Sequence, residues 1–177
     1  MLQNNNSYKI LKVFLDSPLH DFQLREISRL TKIAPPSVKK YLLDFEKKSL
    51  ISKRLRKNYN FPIYRANREN EEFIFLKKIS IILELNYSGL VDYLWETLSP
   101  KAVVLYGSYA KGESTEDSDI DLFILGNEKN LGLEKFENIL NKKIHILFNN
   151  DFDKMNKEIK NNILNGIILK GYLKAFK

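Results

Sequence analysis

The chain of 177 residues contains no cysteine, so a disulfide framework, a thiolate metal site and a cysteine nucleophile are all excluded. Glycine and proline are scarce, at 7 and 5 residues, and no repeat or low-complexity tract longer than Asn4-Asn5-Asn6 occurs. No apolar run approaches the roughly 20 residues that a membrane-spanning helix needs. The opening MLQNNNSYK has neither the basic lead nor the apolar core of a secretory signal. The expectation is a soluble, cytoplasmic protein with no membrane partner. Arginine is missing from the whole of the chain after Arg68.

What is present is globular in character, 44% hydrophobic and 29% charged, and long enough to bury a sizeable core in one domain or two small ones. The charge is divided unevenly. Met1 to Arg68 carries 15 Lys and Arg against 5 Asp and Glu, a balance of +10, while Glu69 onward carries 14 against 17, or −3, which restores the overall +7. Such asymmetry points to a polyanion-binding module joined to a domain employed differently.

In the first segment, Ser7 is a candidate cap for a helix whose Ile10, Leu11, Phe14 and Leu15 share one face, ended by Ser17-Pro18. Phe22 to Leu30 repeats the period, with Leu24, Ile27 and Leu30 inward and Arg25 and Arg29 outward. Pro35-Pro36-Ser37 opens a third helix with Val38, Tyr41, Leu42 and Phe45 on its apolar face. Leu50-Ile51 starts an extended segment, Lys53 to Asn60 is basic and turn-rich, and Ile63 to Ala66 returns. This order resembles the winged helix-turn-helix domains of DNA-binding regulators. The resemblance implies that the helix from Pro35 enters the major groove of double-stranded DNA with Ser37, Lys39 and Lys40. Arg54, Arg56 and Lys57, with Asn58 and Tyr59, would form the wing, and Arg25 and Arg29 would flank phosphates.

Glu69 to Leu98 is apolar at helical spacing and interrupted near Ser88-Gly89, which predicts a long linking helix and a second helix under a sheet. Its surplus of large apolar positions has two readings, core packing between the modules or the seam of a homodimer.

Lys101 to Leu125 reads KAVVLYGSYAKGESTEDSDIDLFIL. Ala102 to Tyr106 predicts a buried strand ending at Gly107-Ser108, and Asp119 to Leu125 a second strand that begins by alternating. On a strand, Asp119 and Asp121 share a face. Carboxylates so placed are most readily kept together by a divalent cation, with Mg²⁺ the oxygen-seeking candidate. Gly107 and Ser108 can offer amides and a hydroxyl to phosphate. These residues point to metal-assisted phosphoryl or nucleotidyl transfer.

Gly107-Ser108, ten further residues, then Asp119-Ile120-Asp121 resembles the signature of the DNA polymerase beta-like nucleotidyltransferases, in particular their minimal forms, from about Leu98 onward. The implied fold is α/β (α+β): a winged helix-turn-helix domain over 1–68, linking helices over 69–97 and a small nucleotidyltransferase domain over 98–177 with a mixed sheet flanked by helices. The resemblance implies a Mg²⁺-dependent transfer from an NTP, with Gly107, Ser108, Lys111 and Ser118 at the nucleotide and Asp119 and Asp121 at the metal. A third acid on the next strand is expected in that family, and here the polar position of Lys143 to Phe148 is His145. An imidazole there is either a ligand or base of an adapted site or a strand histidine without chemistry. The alternative function is a catalytically weakened regulator, or the antitoxin of a HEPN-type toxin-antitoxin pair, since minimal nucleotidyltransferases are commonly paired with HEPN proteins.

Three apolar segments complete the reading. Leu131 to Leu140 predicts a crossover helix with Leu133, Phe136, Ile139 and Leu140 on one face. Phe152 to Lys160 predicts another helix, and Ile163 to Leu169 a last element at the sheet edge or against it.

Overall fold

The computed structural model describes residues 5–55 and 61–174, which divide into two compact units between Lys77 and Lys78. The first unit begins with α1 (Asn6–Asp16), capped by Asn5, whose side-chain oxygen accepts the Ser7 amide at 2.8 Å. The cap therefore falls two residues before Ser7, because a side-chain oxygen must lie outside the first turn to reach back to its amides. There follow β1 (Phe22–Gln23), α2 (Leu24–Thr31), α3 (Pro35–Lys47), β2 (Ile51–Leu55) and β3 (Pro62–Ala66). The three strands form an antiparallel sheet in the order β1-β3-β2.

Ile10, Phe14, Ile27, Val38 and Leu42 form the centre of this unit, all at most 1% exposed. Leu30, expected inward, is 61% exposed. In this helix of 8 residues the buried stripe is narrow and is filled by Ile27. Removing one methylene at that centre, Ile27→Val, is expected to cost about 1 kcal/mol, read by urea denaturation.

Helix α4 (Glu71–Tyr87) contributes Phe73 to the first unit's core and Ile81 and Leu85 to the second's. Gly89, at φ +77°, breaks the helical run, and α5 (Leu90–Leu98) starts immediately after it. Glycine is suited to that left-handed position because it has no Cβ to clash.

The second unit is built on β4 (Ala102–Tyr106), β5 (Ile120–Leu125), β6 (Ile144–Asn149) and β7 (Ile167–Gly171), in the order β6-β5-β4-β7. β4 is antiparallel to both neighbours, whereas β5 and β6 are parallel. The parallel pair needs a crossover, supplied by α7 (Glu134–Leu140). One face of the sheet buries Val103, Leu105, Leu122 and Ile124 under α5 and α7. The other buries Ala102, Val104 and Phe123 against Phe152 and Ile163.

Two segments differ from expectation. Ile139 is 56% exposed although Phe136 and Leu140 are buried, since a helix of 7 residues presents only a narrow stripe. Phe152 to Lys160 is not one helix but a 3-10 turn (Phe152–Lys154) followed by α8 (Lys157–Leu164), whose Asn156 cap accepts the Glu158 amide. Ile163 therefore belongs to α8, and the edge strand is β7 alone. Among the described residues, no helix is long and apolar enough to cross a membrane.

Candidate active site

The site forms at one end of the four-stranded sheet because strand alternation and register place three polar side chains in one row. Tyr106 of β4 lies opposite Asp121 of β5, and Asp121 lies opposite His145 of β6. Asp119 precedes the first residue of β5 by one position, outside the strand in which it was expected. Its Oδ2 nonetheless lies 3.2 Å from His145 Nε2, with the two side chains 46% and 65% exposed. His145 thus faces the aspartates across open solvent-side space rather than the core beneath α5 and α7.

The chain turns from β4 into the short α6 (Gly107–Lys111) at this same end. No side chain caps α6, and its first residue, Gly107, stands directly against the Asp121 carboxylate. Gly107 has φ +71°, and a Cβ built there would collide with Asp121 Oδ2. Backbone and carboxylate approach so closely only because this residue has no side chain. Lys111 closes α6 and is exposed.

Between Gly112 and Asp119 the chain is held from several sides. The Glu113 amide bonds to Ser108 O at 2.9 Å, and Ser118 Oγ accepts the Thr115 amide at 2.8 Å while its own amide returns to Thr115 O. Ser118 therefore closes the turn that delivers Asp119. Lys142 Nζ donates to the Glu116 carbonyl, and Glu137 accepts both Lys143 Nζ and the Ile144 amide at the entrance to β6. Those bonds, the Lys143 side chain first and the amide second, hold the Glu137 carboxyl below its usual range.

Burial raises the Asp121 pKa above its ordinary 3.8; His145 opposes the rise and Asp119 adds to it. Burial, and then the nearby Asp121, likewise push the Tyr106 phenol up. Tyr106 was not a candidate from sequence, although the alternation of β4 already set 102, 104 and 106 on one face.

Among the described residues, no group of three or more His, Cys, Asp or Glu side chains forms a metal cage. The donor set still fits a hard divalent cation of the Mg²⁺ kind. Such an ion is held by one or two carboxylates together with substrate phosphates and water, and Asp121 is a carboxylate whose charge is costly until something neutralises it.

In the first unit, Arg25 and Arg29 are exposed on α2, Ser37, Lys39 and Lys40 on α3, and Arg54 on β2. Ser37 and Lys40 lie about 60° apart around α3, while Lys39 is offset from Ser37 by about 160°. Arg56 and Lys57 lie outside the described residues.

Residues 88–170 match the family model described as a nucleotidyltransferase domain, and the mixed sheet with its flanking helices is consistent with the polymerase beta-like form of that fold. The match supports the nucleotidyltransferase superfamily for the second unit. A protein of Methanocaldococcus jannaschii, named as a candidate protein adenylyltransferase, is 38% identical over 55 residues, 27% of this chain and 55% of its own. The chain thus spans about half the length of the curated relative it matches.

Proposed function

We propose that the second unit transfers a nucleotide from an NTP to an acceptor hydroxyl, with Mg²⁺ as the cation. The observation that carries this reading is the approach of Asp121 to Gly107, which sets the carboxylate beside the Gly107 and Ser108 amides at the start of α6. The triphosphate binds those amides and the Ser108 hydroxyl, with Lys111 near its outer phosphates. The acceptor oxygen attacks the α-phosphorus in line, forming the new ester bond as the bond to pyrophosphate breaks; the acceptor proton passes to solvent or to His145. Mg²⁺, held by Asp119 and Asp121, supplies neutralisation of the phosphate charge. Calorimetric titration with each of the four NTPs, with and without Mg²⁺, tests the reading together with incorporation of α-labelled nucleotide. Binding that ignores Mg²⁺, or no binding to folded protein, would end it.

The first unit is, in this proposal, a winged helix-turn-helix that binds double-stranded DNA. Arg25, Arg29, Lys39, Lys40 and Arg54 are exposed, and none forms an ion pair with a described carboxylate. Arg54→Ala is expected to lower affinity for duplexes of any sequence and to reduce the slope of log K against log salt by about 1. An unchanged slope would remove Arg54 from the phosphate contacts. His145 at the position of the family's third acid favours a second reading, a weakened enzyme acting as a regulator or as the antitoxin of a HEPN-type partner. Its sign is Mg²⁺-dependent NTP binding without incorporation.

A further inference from the structure

At the other end of the same sheet, Leu125 closes β5 four residues beyond Asp121, about 13 Å along the strand. A cavity of about 620 Å³ opens there, within the range of small-molecule sites. We infer that this cavity is a second ligand site, distinct from the aspartate site, that takes a 5′-phosphorylated nucleoside.

The shape is set by backbone rather than by mobile side chains. The Lys101 amide donates to Leu125 O at 2.9 Å, and the Tyr172 amide donates to Lys101 O at 3.1 Å. Gly171, at φ +82°, lies so close to the Lys101 carbonyl that a Cβ would collide with it. Three wall residues are thereby fixed to one another before any ligand arrives, which lowers the ordering cost of binding. The floor is apolar, with Leu125 7% and Phe152 5% exposed.

The charge of the walls selects the ligand. Asp151 and Asp153 line the cavity, but each already has a lysine, Lys154 at 3.1 Å and Lys160 at 3.3 Å. Lys101 and Lys174 also line it, and neither pairs with a described carboxylate. The uncompensated charge is therefore positive, suited to a phosphate. Tyr172, 64% exposed, offers a ring to a flat partner, as aromatic side chains do to bases. A phosphate, a planar group and a volume of this size together describe a mononucleotide, either free or as the 5′ end of a strand.

The test uses the full chain carrying Asp119→Asn and Asp121→Asn, so that the aspartate site does not obscure the second one. Amide resonances are followed while AMP, adenosine, inorganic phosphate or the dinucleotide pApA is added. The expected result is saturable movement at Lys101, Phe152 and Tyr172 with AMP, and affinities at least tenfold weaker for adenosine and for phosphate. Lys101→Glu with Lys174→Glu, and separately Tyr172→Ala, should each weaken AMP at least tenfold in protein whose remaining amide spectrum is unchanged. Equal affinity for AMP and pApA assigns the free nucleotide, and tighter pApA assigns a strand end. Shifts confined to Gly107 and Ser108, phosphate binding as tightly as AMP, a polyamine binding in its place, or no saturable shift would each overturn the inference.

Discussion

Replacing both Asp119 and Asp121 by asparagine is expected to abolish Mg²⁺-dependent NTP binding and to lower nucleotide incorporation by at least about a thousandfold, or roughly 4 kcal/mol of transition-state stabilisation. The amides keep the carboxylates' shape while losing the negative charge and turning one acceptor oxygen into a donor. The same change should act on stability in the opposite direction. The folded protein holds the Asp121 proton more tightly than an ordinary carboxyl of 3.8, so it binds more protons than the unfolded chain in the window above that value. Stability consequently falls as pH rises through the window, and the cost of the ionised group is fully present at neutral pH. Asp121→Asn alone should therefore melt at a higher temperature than the parent at pH 7, with the gain disappearing below about pH 3.8. Thermal melts at several pH values read the sign. A variant that is less stable at pH 7 would show that Asp121 is held by favourable bonds and is not a carboxylate awaiting a cation.

The second large effect is expected of Gly107→Ala. Its left-handed backbone costs a non-glycine residue about 1–2 kcal/mol, which urea denaturation should detect. The added Cβ also meets Asp121 Oδ2, the side chain opposite His145 in the ladder. Asp121 must move, and a displacement of about 1 Å at a reacting centre is worth roughly a hundredfold in rate. Ala110, in the same helix, marks the contrast: it carries a Cβ and is buried in the apolar core with Leu105, Leu122 and Ile124. If Gly107→Ala lost stability but kept its rate of incorporation, the close approach of backbone and carboxylate would have no catalytic role.

These two residues show what could be read from the order of amino acids. The spacing of Gly107-Ser108 and Asp119-Ile120-Asp121 pointed to the candidate site, and β4 and β5 follow from their apolar runs. That Gly107 makes room for Asp121 depends on an antiparallel register that no local pattern specifies. The face taken by His145 was equally open, because an alternating strand fixes which residues share a face but not which face meets the row of aspartates. Tyr106 was legible in principle from the same alternation. The errors at Leu30 and Ile139 have a single cause: in helices of 8 and 7 residues, one or two positions suffice to fill the buried stripe, and hydrophobicity alone does not say which. The helix expected over Phe152 to Lys160 broke at Asn156, a residue whose side chain competes for backbone amides and so begins a helix more readily than it continues one.

Asp121 belongs to the ladder between Tyr106 and His145, whereas Asp119 lies one residue outside it. The two carboxylates are therefore anchored unequally. In the proposed metal site Asp121 would be the fixed jaw, held on both sides by strands, and Asp119 the adjustable one, steadied by the turn that Ser118 closes and by its contact with His145. If that site holds a cation, a pair built in this way would adjust to ions of different radius without disturbing the sheet, and lengthening the Thr115–Ser118 turn is expected to change metal affinity while leaving the fold intact.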